Sequence, residues 1–245
     1  MKAAATKRIS PMRLERLRRD VLEANLELVR RGLVLYTFGN ASGIARDDGL
    51  VVIKPSGVPY DELKPEHMVV TDLSGTIVEG DLRPSSDLPT HLALYRAFKS
   101  IGGVAHTHSE FATAWAQAGR PIPCLGTTHA DYFHGPVPVT AELSAQEIVG
   151  DYEKNTGAAI CRAFQNLDPE SIPAVLVRGH APFCWGSDVA AAAHHAVILE
   201  AVARMAYYTV ALAQEAQPLS RSLHDKHFLR KHGKDAYYGQ ASGKK

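Results

Sequence analysis

Cysteine is scarce. The 245 residues hold three, Cys124, Cys161 and Cys184, far apart and without a Cys-x-x-Cys pair. That supplies no thiolate metal site and fits a reducing compartment, so a cytoplasmic location is expected. Net charge is nearly absent: 27 basic against 26 acidic residues leave +1, which argues against a polyanion-binding surface and against nucleic acid as a partner. No long apolar run opens the chain, so no Sec-type signal peptide is expected. The longest apolar-rich stretch, about residues 189–213, carries His194, His195, Glu200 and Arg204. It reads as a buried helix rather than a membrane span, and no membrane partner is expected. There is no Gly-x-Gly-x-x-Gly and no Walker A sequence, hence no support for a nucleotide-binding glycine loop. There is no His-x-Glu with Pro-Cys-x-x-Cys, which removes a zinc nucleobase deaminase. Internal repeats are also missing.

What is present is an ordinary globular composition, 45% apolar and 22% charged. Pro11 opens a helix whose Leu14, Leu17, Val21, Ala24 and Leu28 step by three and four, and Gly32 is placed to end it. Leu33 to Phe38 reads as a strand, followed by a Gly-rich turn from Gly39 to Gly43. Hairpin signals at Asp47-Asp48-Gly49 and Ser74-Gly75 join strands at 50–54, 68–73 and 76–79. A helix over 88–98 begins with Pro89 in its first turn, capped by Ser86 or Asp87. Short strands are expected at 101–105, 122–125, 137–140 and 174–178. Ser144-x-x-Glu147 is a capping box for a helix to about Asn166, Ser187 caps a long helix ending near Gln217, and a basic helix spans about 219–232. The pattern is α/β of the α+β type: a central, mostly antiparallel sheet of about nine strands covered by helices on both faces.

The chemistry gathers around Gly102-Gly103-Val104-Ala105-His106-Thr107-His108. Residues two apart on a strand share a side, so His106 and His108 can grip one metal ion. His180 follows the strand at 174–178, and Asp87 stands at a helix start. Three imidazoles and a carboxylate suit a divalent transition metal, most simply Zn²⁺. From spacing alone, a plain turn histidine and a plain N-cap carboxylate describe His180 and Asp87 equally well. Gly39-Asn40, Ser56-Gly57 and Ser85-Ser86 each offer backbone N–H groups beside a short polar side chain, a combination that suits a phosphate monoester. Three unrelated turns are the alternative reading.

These pieces resemble the class II aldolase family, whose fold the adducin heads share, and within it the L-ribulose-5-phosphate 4-epimerases. The matching segments are Gly39-Asn40-Ala41-Ser42, Ile53-Lys54-Pro55-Ser56-Gly57, Pro84-Ser85-Ser86-Asp87, His106-Thr107-His108, Gly126 to Phe133, His180-Ala181-Pro182-Phe183, Asp225-Lys226-His227, Leu229 to Gly233, and Ala236 to Gln240. The resemblance implies a single catalytic domain over 11–240, with 1–10 and 241–245 as disordered ends. It implies one divalent metal per subunit on Asp87, His106, His108 and His180. Zn²⁺ is the expected ion, with Mn²⁺ and Co²⁺ as alternatives. Gly39, Asn40, Lys54, Ser56, Gly57, Ser85 and Ser86 become the substrate and phosphate loops. Asp131 and Tyr238 become the acid/base pair, supported by Thr127, Glu153, His227 and Arg230. Arg178 and Ala181, which flank His180, depart from the family pattern and leave that loop's shape open.

The implied reaction interconverts L-ribulose 5-phosphate and D-xylulose 5-phosphate. Retro-aldol cleavage gives glycolaldehyde and a metal-stabilised enediolate, and re-addition follows on the other face of the aldehyde. An aldolase that releases the aldehyde is the rival. Asp87, where the aldolases carry a glutamate, favours the epimerases. A non-catalytic adducin-like module is disfavoured because all three histidines are kept. The family also implies a homotetramer with active sites between adjacent subunits. Tyr238 near the chain end is then expected to complete a neighbour's site, with Asp131 coming from the other chain.

Overall fold

The computed structural model describes residues 10–239. The expected disordered ends, apart from Ser10, and Gln240 lie outside them. Helix α1, Pro11–Arg30, starts where Ser10 accepts the Arg13 N–H and Pro11 needs no donor partner. It buries Val21, Ala24 and Leu28 on the expected face and ends at Gly32, whose φ of 70° lets Leu33 N–H reach back to Leu28 O.

Seven strands follow: β1 (Asn40–Ala45), β2 (Leu50–Ile53), β3 (Val69–Asp72), β4 (Ile77–Glu79), β5 (Gly103–His106), β6 (Ala174–Leu176) and β7 (Pro182–Gly186). They form one sheet in the order β4-β3-β2-β1-β5-β7-β6, every neighbour antiparallel. Among the described residues the sheet has seven strands, not about nine. Residues 122–125 and 137–140 make isolated bridges, Ile122 with Val137 and Val139 with Leu176. Leu33 to Phe38 is no strand: Tyr36 sits at φ 51° and is 90% exposed. The strand is instead the stretch read as a turn, Asn40-Ala41-Ser42-Gly43-Ile44-Ala45. Asn and Gly have poor strand propensity, yet β1 pairs on both edges and is covered on both faces, and that context decides.

The cover explains the glycines. Gly43, Gly103 and Gly186 are register partners across β1, β5 and β7. A Cβ on Gly103 would fall 2.3 Å from Val189 Cα, and one on Gly186 would fall 2.6 Å from Ala191 Cβ. The start of α7, Val189–Leu212, therefore lies directly on the sheet backbone, beside α1. The opposite face carries α2, Leu88–Ala97, with α6, Tyr152–Ala163, packed on it. Ser42 points to this second face, between His91 Nδ1 at 2.7 Å and Tyr95 Oη at 2.8 Å.

The remaining helices are α3 (Glu110–Gln117), the single turn α4 (Thr127–Ala130), α5 (Ala145–Val149) and α8 (Arg221–His232). Asp188 rather than Ser187 caps α7, which stops at Leu212. Ser144 and Glu147 form the expected capping box, but Gly150 separates α5 from α6 where one helix was expected. Helix α7 is long and apolar enough to cross a membrane. It packs on β1, β5 and β7 instead, burying Ala192, Ala196, Leu199 and Ala203. Its C-terminal half departs from a fully buried helix, because Met205, Tyr208 and Leu212 are exposed.

Candidate metal and anion site

Antiparallel pairing brings the start of β1 to the end of β5, with Asn40 opposite His106, and sets β7 alongside, with Phe183 opposite His106. Gly39 is required here. At φ 86° its missing Cβ would stand 2.8 Å from His106 O. His106 stacks on Phe183 at 4.1 Å, and its Nδ1–H donates to Pro182 O at 2.9 Å. That bond leaves Nε2 as a bare lone pair. His108 lies just past the strand, its Nε2 3.2 Å from His106 Nε2. His180 arrives from the tight turn between β6 and β7, where Gly179 takes φ 71°, and its Nε2 is 3.3 Å from His106 Nε2. The Arg178 and Ala181 departures leave this turn able to deliver the ring. The ligand atoms of all three histidines lie within 4.8 Å of one another.

Asp87 occupies the N-cap position of α2, but its side chain makes no cap hydrogen bond. It accepts the Asn40 amide at 2.7 Å and stands 4.0 Å from His106 Nε2. Burial, the largest influence, presses His106 down to about 3 against the pull of Asp87. Burial also lowers His108 and His180. Three imidazoles thus bring their Nε2 atoms close to one another beside a carboxylate, with burial disfavouring the charged form of each. Imidazole nitrogen with carboxylate oxygen is a donor set that fits Zn²⁺ or a similar ion.

The polar turns converge on the same cavity, of about 340 Å³, together with the three histidines. Ser56 N–H donates to Arg83 O and Ser85 N–H to Lys54 O, so the two serine loops run side by side. Those two amides are consumed by the loops, contrary to the expectation that every turn offers its N–H groups. The exposed Ser56, Gly57 and Ser86 remain, beside buried Asn40, Lys54 and Ser85. Lys54 Nζ has one hydrogen bond among the described residues, to Pro55 O at 3.2 Å, and burial lowers its pKa to about 8. At pH 7 it remains a largely desolvated cation facing a cavity of hydroxyls and amides, suited to an anion.

Asp131 and Tyr238 do not line this cavity. Asp131 follows α4 and is held from α8. Arg230 donates to both its oxygens at 3.0 and 2.7 Å, His227 stands at 3.0 Å and Lys231 at 3.6 Å. Burial works against its charge, but the Arg230 and His227 hydrogen bonds and the Lys231 charge outweigh it and hold the acid below its ordinary value. The Tyr238 ring packs on Arg230 and Lys231 at 5.0 and 4.4 Å. Asp131 and Tyr238, expected from different chains, therefore share Arg230 within one chain. Of the supporting residues, Glu153 lines the histidine cavity, His227 and Arg230 bind Asp131, and the Thr127 carbonyl accepts the Asp131 N–H. Sequence reasoning missed Tyr152, Thr37 and Phe38, which also line the cavity. It missed Asn25 too, whose side chain clips the Ala41 backbone beside Asn40. No spacing signals any of these.

Fold and side chains together define an antiparallel α/β protein in which three histidines that could hold a metal ion, with Asp87 alongside, face a cavity lined by small polar turns. The sequence pattern of the class II aldolase and adducin N-terminal domain matches residues 19–207, and the chain belongs to that family. Solved structures agree on the fold. An L-fuculose 1-phosphate aldolase superimposes with a TM-score of 0.77 at 23% identity, covering 91% of this chain and 97% of that one. YgbL from Klebsiella pneumoniae, described as a putative aldolase/epimerase/decarboxylase, gives 0.70 at 26% identity over 87% and 98%. The L-fuculose-1-phosphate aldolase from Thermus thermophilus gives 0.65 at 24% over 82% and 98%.

Proposed function

We propose that this protein is a metal-dependent 4-epimerase that interconverts L-ribulose 5-phosphate and D-xylulose 5-phosphate. The observation that carries the reading is the carboxylate after Ser85-Ser86. It is the short Asp87, turned to Asn40 and the histidines, while a separate carboxylate, Asp131, is held ionised by α8. A lyase of this family needs an acid/base at the position of Asp87. An epimerase needs a ligand there and two proton-transfer groups elsewhere.

Asp87, His106, His108 and His180 would hold the ion, which when bound supplies Lewis-acid stabilisation of negative charge on the ketone oxygen. The Ser56 and Ser86 hydroxyls, the Gly57 amide and Lys54 bind the phosphate and keep that half of the sugar in place. Asn40 Oδ1, buried without a hydrogen-bond partner among the described residues, accepts a sugar hydroxyl. Asp131 takes the carbon-4 hydroxyl proton of one stereoisomer, the bond between carbons 3 and 4 breaks, the aldehyde turns, carbon 3 adds to its other face to re-form that bond, and the Tyr238 phenol protonates the new carbon-4 alkoxide. Because Asp131 and Tyr238 lie outside the histidine cavity of their own chain, they act at the cavity of an adjacent subunit in a homotetramer.

The test is incubation of zinc-loaded protein with L-ribulose 5-phosphate. D-xylulose 5-phosphate should appear without free glycolaldehyde. Accumulating glycolaldehyde and dihydroxyacetone phosphate would identify an aldolase, and no turnover would overturn the proposal.

A further inference from the structure

Tyr152 opens α6, and its hydroxyl lies 2.7 Å from His180 Nδ1, with the two rings stacked at 6.1 Å and 22°. The start of α6 is itself tied down. Thr156 Oγ1 donates to Tyr152 O at 2.9 Å, and Thr90 Oγ1 donates to Glu153 O, joining α6 to the helix that carries Asp87 at its start. The phenol is therefore fixed relative to the carboxylate as well as to the imidazole.

Proton counting assigns the direction of this bond. A neutral imidazole carries one N–H. His106 places its own on Nδ1, against Pro182 O, so its Nε2 is bare. His180 Nε2, 3.3 Å away, can share an ion with it only if the His180 proton sits on Nδ1. There the Tyr152 oxygen is the acceptor at hand. We propose that Tyr152 is the positioning residue of the metal centre. It accepts the His180 Nδ1–H, and so fixes the tautomer and ring plane that turn Nε2 toward the ion. Because it accepts, its own O–H hydrogen is left for an oxygen in the cavity that it lines. Of the three histidines, His106 is oriented by backbone and His180 by a side chain, while His108 Nδ1 has no hydrogen-bond partner among the described residues. Tyr152 is thus the point at which a substitution can retune the centre without moving the sheet.

This inference rests on the metal reading of the histidines, not on which sugar phosphate is turned over. The test is competition of metal-free protein with a chromophoric chelator for Zn²⁺, comparing wild type with Tyr152→Phe. The variant should raise the zinc dissociation constant about 10–100-fold, the usual cost of losing an outer partner of a ligating histidine. The thermal midpoint of the metal-free protein should not change. In zinc-loaded wild type, nitrogen-edited NMR should show the His180 proton on Nδ1, a reading that does not depend on the variant folding. Equal zinc affinity in the two proteins, or a His180 proton on Nε2, would overturn the inference. If wild type takes up no zinc, the metal reading falls and this inference with it. If zinc affinity drops as expected but no sugar phosphate reacts, only the substrate reading fails.

Discussion

The three histidines that could hold a metal ion and those around Asp131 are the same residue type in opposite settings. His106 is buried at the end of the sheet, with half-buried His180 and exposed His108 beside it, and burial disfavours a second proton on each ring. His227 and His232 sit on α8 and give hydrogen bonds to Asp131, one to its carboxylate and one to its backbone carbonyl. The first region is set by strand register and by β-sheet neighbours on both sides. The second hangs on one helix with a single buried residue, Phe228, and on an exposed tail. An imidazole held neutral needs a rigid, buried frame, which His106 has. An ionised carboxylate needs cations, and Arg230 and Lys231 of α8 supply them to the buried Asp131.

Four experiments would sharpen or break that contrast. The largest effect is expected from His106→Asn, which removes the central ligand. Bound metal should be lost, and turnover should fall by about ten-thousandfold, the equivalent of roughly 5 kcal/mol. Stoichiometric metal by elemental analysis in the purified variant would remove His106 from the centre. Asp131→Asn comes next. It should cost about a thousandfold in turnover, within the range for a lost general base, while metal content stays at the wild-type level. Normal turnover would end the acid/base assignment.

The third experiment recovers activity instead of losing it. Subunits carrying His106→Asn, mixed with subunits carrying Asp131→Asn, should regain measurable activity after exchange, because some interfaces then pair an intact histidine cavity with an intact Asp131 and Tyr238. Asp131→Asn mixed with Tyr238→Phe should not, since both groups belong to one cluster on one chain. Recovery in the second mixture alone would place the two groups on opposite chains. The smallest effect is on stability. Burial lowers His91, packed on Phe183 beside the three-histidine cluster, and His129, beside Asp131, each to about 4. An unfolded histidine titrates near 6.5, so between about 6.5 and 4 the unfolded chain binds more protons and stability is lost as pH falls. The thermal midpoint of metal-free protein should therefore decline from about pH 7 to about pH 5. A flat profile would mean that neither imidazole is kept neutral by the fold.

Much of the fold was legible because it rests on local rules. The α1 face and its Gly32 end, the Ser144 capping box, and the hairpins at Gly49 and Ser74-Gly75 are statements about neighbours in sequence. The errors share one cause. Leu33 to Phe38 has the apolar content of a strand and Asn40 to Ala45 lacks it, yet the second is the strand, because α1 packs its Leu17 and Val21 against Gly43 and the sheet pairs both its edges. Residues 122–125 and 137–140 have strand composition but only each other or one residue of β6 to pair with, and they remain bridges.

By itself the sequence determined the donor chemistry: which residues can ligate, which turns are small enough to approach an anion, and that Asp87 is one methylene short of a glutamate. Tertiary structure decided what those residues do. Register brought Asn40, His106 and Phe183 abreast, so that Asp87, which spacing describes as a helix cap, is turned away from its own helix toward Asn40 and the histidines. It also divided the polar residues into two groups, placing Asp131 and Tyr238 with α8 and away from the histidine cavity. The reason is physical. A residue's chemistry travels with its side chain, but the protonation state and reach of an imidazole or a carboxylate depend on burial and on partners far along the chain. Asn40 and Asp87 are 47 residues apart, and Asp131 and Arg230 are 99.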